Sequence, residues 1–360
     1  MCFALDDTWR TCGCILNLAI LPVICTIGLT LNILCLSVFH KTRTHPLVPA
    51  LMVLSVCDIL QLFLSFFVLF VPSLHDFTYA DPFGMLGQIA YISTGALAPL
   101  LLASNCASIW TITYISIQRH QAITNPLRTL ARPPRPYAPL VVITLVALAF
   151  NASKWFEYDW MWMNTPDNSS FLMYNPSALF YDAQYHQVID YLLYPVCVYI
   201  IPLLVLTILH GRIFFKISLR RITSDHKGRL AEERRSIVLL ISIVTLFFVC
   251  HTGGLVYRLM GIGRFETSEF IITIKDFINI LFNINSMCNP MLYFFFTRQF
   301  RDLRGNFLQK QLISSRGSIT NVRTELHEIP SYLQPRLSAS LRRENLLEAV
   351  DRRRRASSVT

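Results

Sequence analysis

An all-α bundle of seven membrane-spanning helices is the fold class predicted for this chain, and three observations predict it. Of its 360 residues 53% are hydrophobic and only 15% charged, with a mean hydropathy of +0.45, against about 25% charged in ordinary soluble domains. Seven apolar runs, at 15–39, 47–71, 87–117, 137–156, 190–215, 236–260 and 269–296, reach the roughly 20 residues that cross a bilayer core. Positive charge is segregated: of 32 Lys and Arg, two lie in 40–46, four in 119–135, eight in 212–235 and thirteen beyond 297. Arg10, Lys154, Arg258, Arg264 and Lys275 are left for the other side. Basic connections stay cytoplasmic, so the N-terminus is expected outside and the C-terminus inside.

These observations exclude as much as they imply. Lipid offers the backbone no partners, so each run must close its own hydrogen bonds as a helix, and the alternation of a membrane β-barrel is absent. A soluble enzyme does not fit this balance. The net charge of +10 belongs to a face against anionic lipid, and nucleic acid is not needed to explain it.

The first run begins after Asp6, Asp7 and one arginine and is too long for a signal-peptide core, so it reads as a span. It contains Asn32. The second contains Asp58, in "LSVCDIL". The third sets Ser104, Ser108, Thr111 and Arg119 along one face, since Ser108 and Arg119 stand about three turns apart. The fourth ends in "AFNASKWFEY" (149–158), followed by a longer connection with the glycosylation sequon Asn168-Ser169-Ser170. A second sequon at Asn151 lies at the span's end and is expected to be shielded. The fifth carries Pro202 and the sixth "FFVCHTGG" (247–254). The seventh places Asn285, Asn289 and Tyr293 at i, i+4 and i+8, with Ser286 beside them and Pro290 inside the helix. Polar groups at membrane depth are costly unless they face a bundle interior. Single Ser or Asn residues often serve as interhelical glue. An Asp with polar stripes on three other spans predicts a shared hydrated core.

The organisation expected is an extracellular segment 1–14, a bundle 15–297, an amphipathic helix 298–308 and a disordered cytoplasmic tail 309–360. The amphipathic helix would turn Phe300 to lipid and Arg298, Arg301 and Arg304 to phosphate. The tail ends in "RRRRASS" (352–358), a pattern open to a basophilic kinase. Most of the ten cysteines lie inside spans; Cys2, Cys12 and Cys14 can meet an oxidising exterior, and no zinc or redox spacing is complete.

Taken together the motifs resemble the rhodopsin-like G-protein-coupled receptors. "GLTLN" ending at Asn32, "LSVCD" ending at Asp58, "SIQRH" (116–120), "IIPLL" around Pro202, "NPMLY" (289–293) and "FFFTRQFRDL" (294–303) fall in that family's order. "AFNASKWFEY" is similar to a stretch of invertebrate FMRFamide-like neuropeptide receptors. The resemblance implies no catalytic role. It implies an allosteric sodium ion as the sole cofactor, held by Asp58, Ser108, Asn285, Ser286 and Asn289 with Asn32 alongside. It implies an activation switch of Arg119, Glu233, Pro202, His251, Pro290 and Tyr293. The implied partners are an extracellular peptide, a heterotrimeric G protein, and arrestin and kinases at the tail.

Three departures stand out. Gln118 replaces the usual acid beside Arg119, which predicts raised basal signalling. His251 and Gly253 stand where the family has Trp-x-Pro, and His251 could donate to a ligand or bond Asn283. Thr94 stands where the third span's disulfide cysteine is expected, and 151–190 has no cysteine, which predicts a more mobile outer vestibule. A divergent chemosensory or orphan receptor, with weak or constitutive coupling, is the alternative.

Twelve acids are expected on the outer surface against five bases, which would concentrate a cationic ligand. A basic peptide with an amidated Arg-Phe end fits that field. Its Arg would meet Glu157, Asp190 or Asp276, its ring Tyr191 and Tyr194, with Asn105, Asn279 and His251 deeper. A biogenic amine is disfavoured, because "APLLLASN" (98–105) offers no Asp.

Overall fold

The computed structural model describes residues 8–41, 48–125, 137–164, 170–223, 227–260 and 268–296, with side chains at most of these positions. Asn168 and the segment 297–360, which holds the expected amphipathic helix and tail, lie outside the described residues, as do the side chains of Glu233 and Tyr293.

Seven helices are long and apolar enough to cross a membrane: α1 Thr8–His40, α2 Val48–Thr78, α3 Met85–Thr124, α4 Ala138–Glu157, α5 Ala183–Lys216, α6 Ile241–Leu259 and α7 Glu269–Leu292. The helix holding α6 starts at Lys227, and that of α7 runs on to Phe296. Helix α3 touches α2, α4 and α5, while α7 closes the bundle against α1, α2 and α6. Large apolar side chains such as Val23, Leu34, Val142, Leu145 and Phe248 point outward, as a lipid-facing surface requires. The chain is therefore a multi-pass membrane protein.

Proline shapes the helices in a regular way. Pro has no N–H, and its ring crowds the carbonyl four residues earlier. Five π turns occur among the described residues, at Ile15–Ile20, Phe66–Phe70, Ser93–Leu97, Ile189–Leu193 and Pro195–Ile200. Each contains the residue four before a proline: Pro22, Pro72, Pro99, Pro195 and Pro202 respectively. The widened turn relieves the clash. Tryptophan side chains donate to carbonyls inside two of these turns. Trp155 Nε1 donates to the Ala96 carbonyl at 2.9 Å, and Trp110 Nε1 to that of Cys197 at 3.0 Å.

Between α4 and α5 an antiparallel hairpin, β1 (Tyr158–Asn164) and β2 (Ser170–Pro176), pairs Tyr158 with Pro176 and Asn164 with Ser170. Thr94, at the position where a disulfide is expected in the family, caps the Ala90 carbonyl at 3.0 Å instead. The hairpin is held by other means. The Leu172 amide donates to Gln88 Oε1 at 3.0 Å, and Tyr174 packs on Tyr91, Tyr158 and Trp160 at 5.4, 4.7 and 5.3 Å between ring centres. Burial there pushes the Tyr174 phenol up to about 12, so it stays protonated. Cys14 is disulfide-bonded, whereas Cys12 is a free, exposed thiol.

Candidate functional site

The site has two parts: a polar knot in mid-bundle and a cavity nearer the hairpin. The knot centres on Asp58, which is 0% exposed. Ser108 Oγ donates to its Oδ1 at 2.9 Å, and Asn289 Nδ2 to its Oδ2 at 2.9 Å. The Ser286 hydroxyl is buried on α7, one turn before Asn289, with no hydrogen-bond partner among the described residues. Three helices thus meet on one acid. Beside it Ser104 Oγ donates to the Cys57 carbonyl at 2.7 Å. Asn32 Nδ2 reaches the carbonyls of Gly28 at 3.0 Å and Ser286 at 3.1 Å. The second is the acceptor that Pro290 leaves without its helical donor, so α1 completes what α7 breaks. Asn285 is buried nearby.

A hard cation takes oxygen ligands, and the donor set fits sodium on that test. Asn289 Oδ1, Asn32 Oδ1 and Ser286 Oγ are buried oxygens with no hydrogen-bond partner among the described residues. Together with the Asp58 carboxylate they could supply a charge and neutral oxygens.

The second part is a cavity of about 350 Å³. Of the residues expected at a ligand, Asn105, Asp190, Tyr191, Tyr194 and Asn279 line it. Glu157 and Asp276 do not. Glu157 is 1% exposed and takes Lys154 Nζ at 2.7 Å and the Tyr185 hydroxyl at 3.0 Å. Asp276 is turned toward α1, hydrogen-bonded to Asn17. His251 lies beneath the cavity among Phe247, Phe282 and Tyr199, at 4.4, 5.0 and 5.9 Å between ring centres. Neither of its nitrogens has a partner among the described residues, so of the two alternatives the bond to Asn283 is not made. Asn283 Nδ2 donates instead to the Asn279 carbonyl at 2.8 Å.

Sequence reading missed the cavity's cations. Lys154, Arg258 and Lys275 all line it. A signal existed: Lys275 stands four residues before Asn279, and Arg258 seven after His251, each on the inward face of its helix. Lys154 bridges Glu157 and Asp190, at 2.7 and 2.6 Å. Glu157, His186 and Asp190 bring ligand atoms within 4.8 Å of one another, a spacing suited to a metal ion, but the Lys154 ammonium occupies their midst.

At the inner end of α3, Gln118 Nε2 donates to the Tyr114 hydroxyl at 2.6 Å, and Arg119 is half-buried. Asn151, in the second sequon, is buried with its Nδ2 on the Ala147 carbonyl at 2.8 Å.

Comparison with known proteins agrees with this architecture. The family model described as "7 transmembrane receptor (rhodopsin family)" matches residues 28–293. The FMRFamide receptor of Drosophila melanogaster is 24% identical over 297 residues, covering 81% of this chain and 52% of the relative. The gonadotropin-releasing hormone II receptor of Clarias gariepinus is 26% identical over 212 residues, 54% of each. The pyroglutamylated RF-amide peptide receptor of Rattus norvegicus is 23% identical over 223 residues, covering 56% of this chain and 49% of the relative. The chain spans about half the length of these curated relatives. With seven apolar helices, an acid shared by three of them and a family match over most of its length, the chain belongs to the rhodopsin family of seven-transmembrane, G-protein-coupled receptors, a receptor family rather than an enzyme family.

Proposed function

We propose that this receptor sits in the plasma membrane with its N-terminus and hairpin outside, binds a neuropeptide in the cavity, and signals through a heterotrimeric G protein. The observation that carries the reading is the Asp58 carboxylate held by Ser108 and Asn289 below an open, aromatic-lined cavity. A bond network that joins α2, α3 and α7 lets a ligand at one end bias the packing at the other. The charge segregation and the disulfide at Cys14 support the orientation. The names of three relatives support a peptide ligand, and two of them an amidated Arg-Phe type.

In this reading Arg119 and Glu233 form the inner contact that opens. Pro202 and Pro290 supply the bends, Tyr293 follows the movement of α7, and His251 with Gly253 forms the hinge region under the ligand. Sodium held at Asp58 would add a positive charge that favours the compact knot. Arrestin and kinases would read the tail.

A second reading, a divergent receptor with constitutive coupling, draws on Gln118, whose amide bonds Tyr114 where the family has an acid. One experiment addresses both: a cell-based signalling screen of the full chain against amidated Arg-Phe peptides, with Arg119→Ala as control. A saturable response that Arg119→Ala abolishes is the expected result. A ligand-free signal lost in Arg119→Ala and indifferent to every peptide selects the second reading, and no Arg119-dependent signal of either kind rejects coupling.

A further inference from the structure

The cavity's wall carries three cations, Lys154, Arg258 and Lys275, and one acid, Asp190. That acid is already engaged on both oxygens. Oδ1 takes Lys154 Nζ at 2.6 Å with Arg258 at 4.0 Å, and Oδ2 takes His186 Nδ1 at 2.7 Å. A cationic group entering the cavity would have to displace a buried lysine or histidine to reach it, and would then face the displaced charge.

The other cations are less well matched. Arg258 lies over the Tyr194 ring at 3.9 Å and is hydrogen-bonded to the Tyr199 hydroxyl, and its one carboxylate contact among the described residues is the long one to Asp190. Lys275 has no carboxylate within 4.0 Å among the described residues, since the adjacent Asp276 is turned to Asn17, and its ammonium stands 5.8 Å from the Tyr257 ring centre. Cations drawn into a low-dielectric cavity gain most from an anion, and a guanidinium fork fits a carboxylate in particular.

We propose that the cavity is an anion-selecting subsite, which takes a carboxylate carried next to an aromatic ring and holds it between Lys275 and Arg258. The ring lies against Tyr191, Tyr199 and Phe282. The inference rests on the cavity being the ligand site, and it reverses the electrostatics expected from the surface acids. An arginine on the same peptide stays outside, among those acids, while an acidic side chain or free C-terminus enters.

The test uses the purified full chain in detergent micelles and two matched probes, acetyl-Glu-Phe-amide and acetyl-Arg-Phe-amide, read by thermal unfolding across a concentration series. The glutamyl probe is expected to raise Tm at a concentration at least tenfold below that needed by the arginyl probe. Lys275→Gln weakens the glutamyl effect at least tenfold, and Lys275→Glu reverses the preference. Equal ligand-free Tm values show that the variants fold; if Lys275→Glu does not fold, Lys275→Gln decides. Preference for the arginyl probe, no shift with either probe, or a Lys275→Gln chain that responds as the parent does would overturn the proposal. Preference for the arginyl probe would restore the amidated Arg-Phe end to the cavity, whereas coupling itself stands or falls on the separate Arg119-dependent signal.

Discussion

Asp58 shows how little slack a buried carboxylate has. Each of its oxygens takes a donor from a different helix, at 2.9 Å in both cases. Replacing it with Ala strands Ser108 and Asn289, and a buried donor left unsatisfied costs about 1–3 kcal/mol. Asn keeps the shape but removes the charge. Exchanging choline chloride for sodium chloride at constant ionic strength is therefore expected to raise Tm of the parent chain and leave Asp58→Asn unmoved. Equal sodium responses in the two would remove Asp58 from any cation site. At the inner end Gln118 offers Arg119 no charge, its amide being turned to Tyr114. Gln118→Asp is expected to lower ligand-free signalling severalfold, and identical basal activity would contradict that. The Asn285–Asn289 stripe and Asp58 were legible in the sequence because helical spacing puts polar groups on one face. The engagement of Asp190 by Lys154 was not, because the two lie 36 residues apart in sequence and no periodicity links them.

At the scale of elements, a side chain of α1 serves an acceptor freed in α7, and aromatic contacts hold the hairpin where a disulfide is expected in the family. The Ser286 carbonyl, freed by Pro290, takes Asn32 Nδ2 at 3.1 Å. Restoring a backbone donor with Pro290→Ala makes that contact partly redundant. Asn32→Ala is then expected to cost about 1 kcal/mol less in the Pro290→Ala background than in the parent. A strictly additive double mutant would show that Asn32 does not serve that carbonyl. Gly95 accounts for the hairpin's seat without a disulfide. A Cβ there would stand 2.8 Å from the Trp160 ring and 3.0 Å from Tyr174. Gly95→Ala is expected to destabilise by about 1–3 kcal/mol and to raise proteolysis within the hairpin, whereas an unchanged cleavage pattern would mean the hairpin is held elsewhere. The missing cysteines had suggested a mobile vestibule. The aromatic cluster that anchors it was invisible in sequence, because Tyr91, Tyr158, Trp160 and Tyr174 are dispersed and carry no spacing signature.

For the whole molecule, fold class and span number were plain from hydropathy, since lipid permits so few backbone solutions. The interior charge balance was not, because the side of the bundle on which a lysine lies does not say whether it lines a cavity or reaches for lipid phosphate. Lys154, Arg258 and Lys275 were counted on the outer side, and for that reason none was assigned to the cavity it lines. What joins the scales is the contact between α2 and α7 at Asp58 and Asn289. The most direct test exchanges the two residues. Thermal unfolding is measured for the parent, Asp58→Asn, Asn289→Asp and the double exchange, in one detergent and one salt. Each single change should lower Tm, by mismatching the pair or by setting two carboxylates face to face. The double exchange should recover at least half of the combined loss, because carboxylate and amide meet again in reversed order. Losses that simply add would show that Asp58 and Asn289 do not touch.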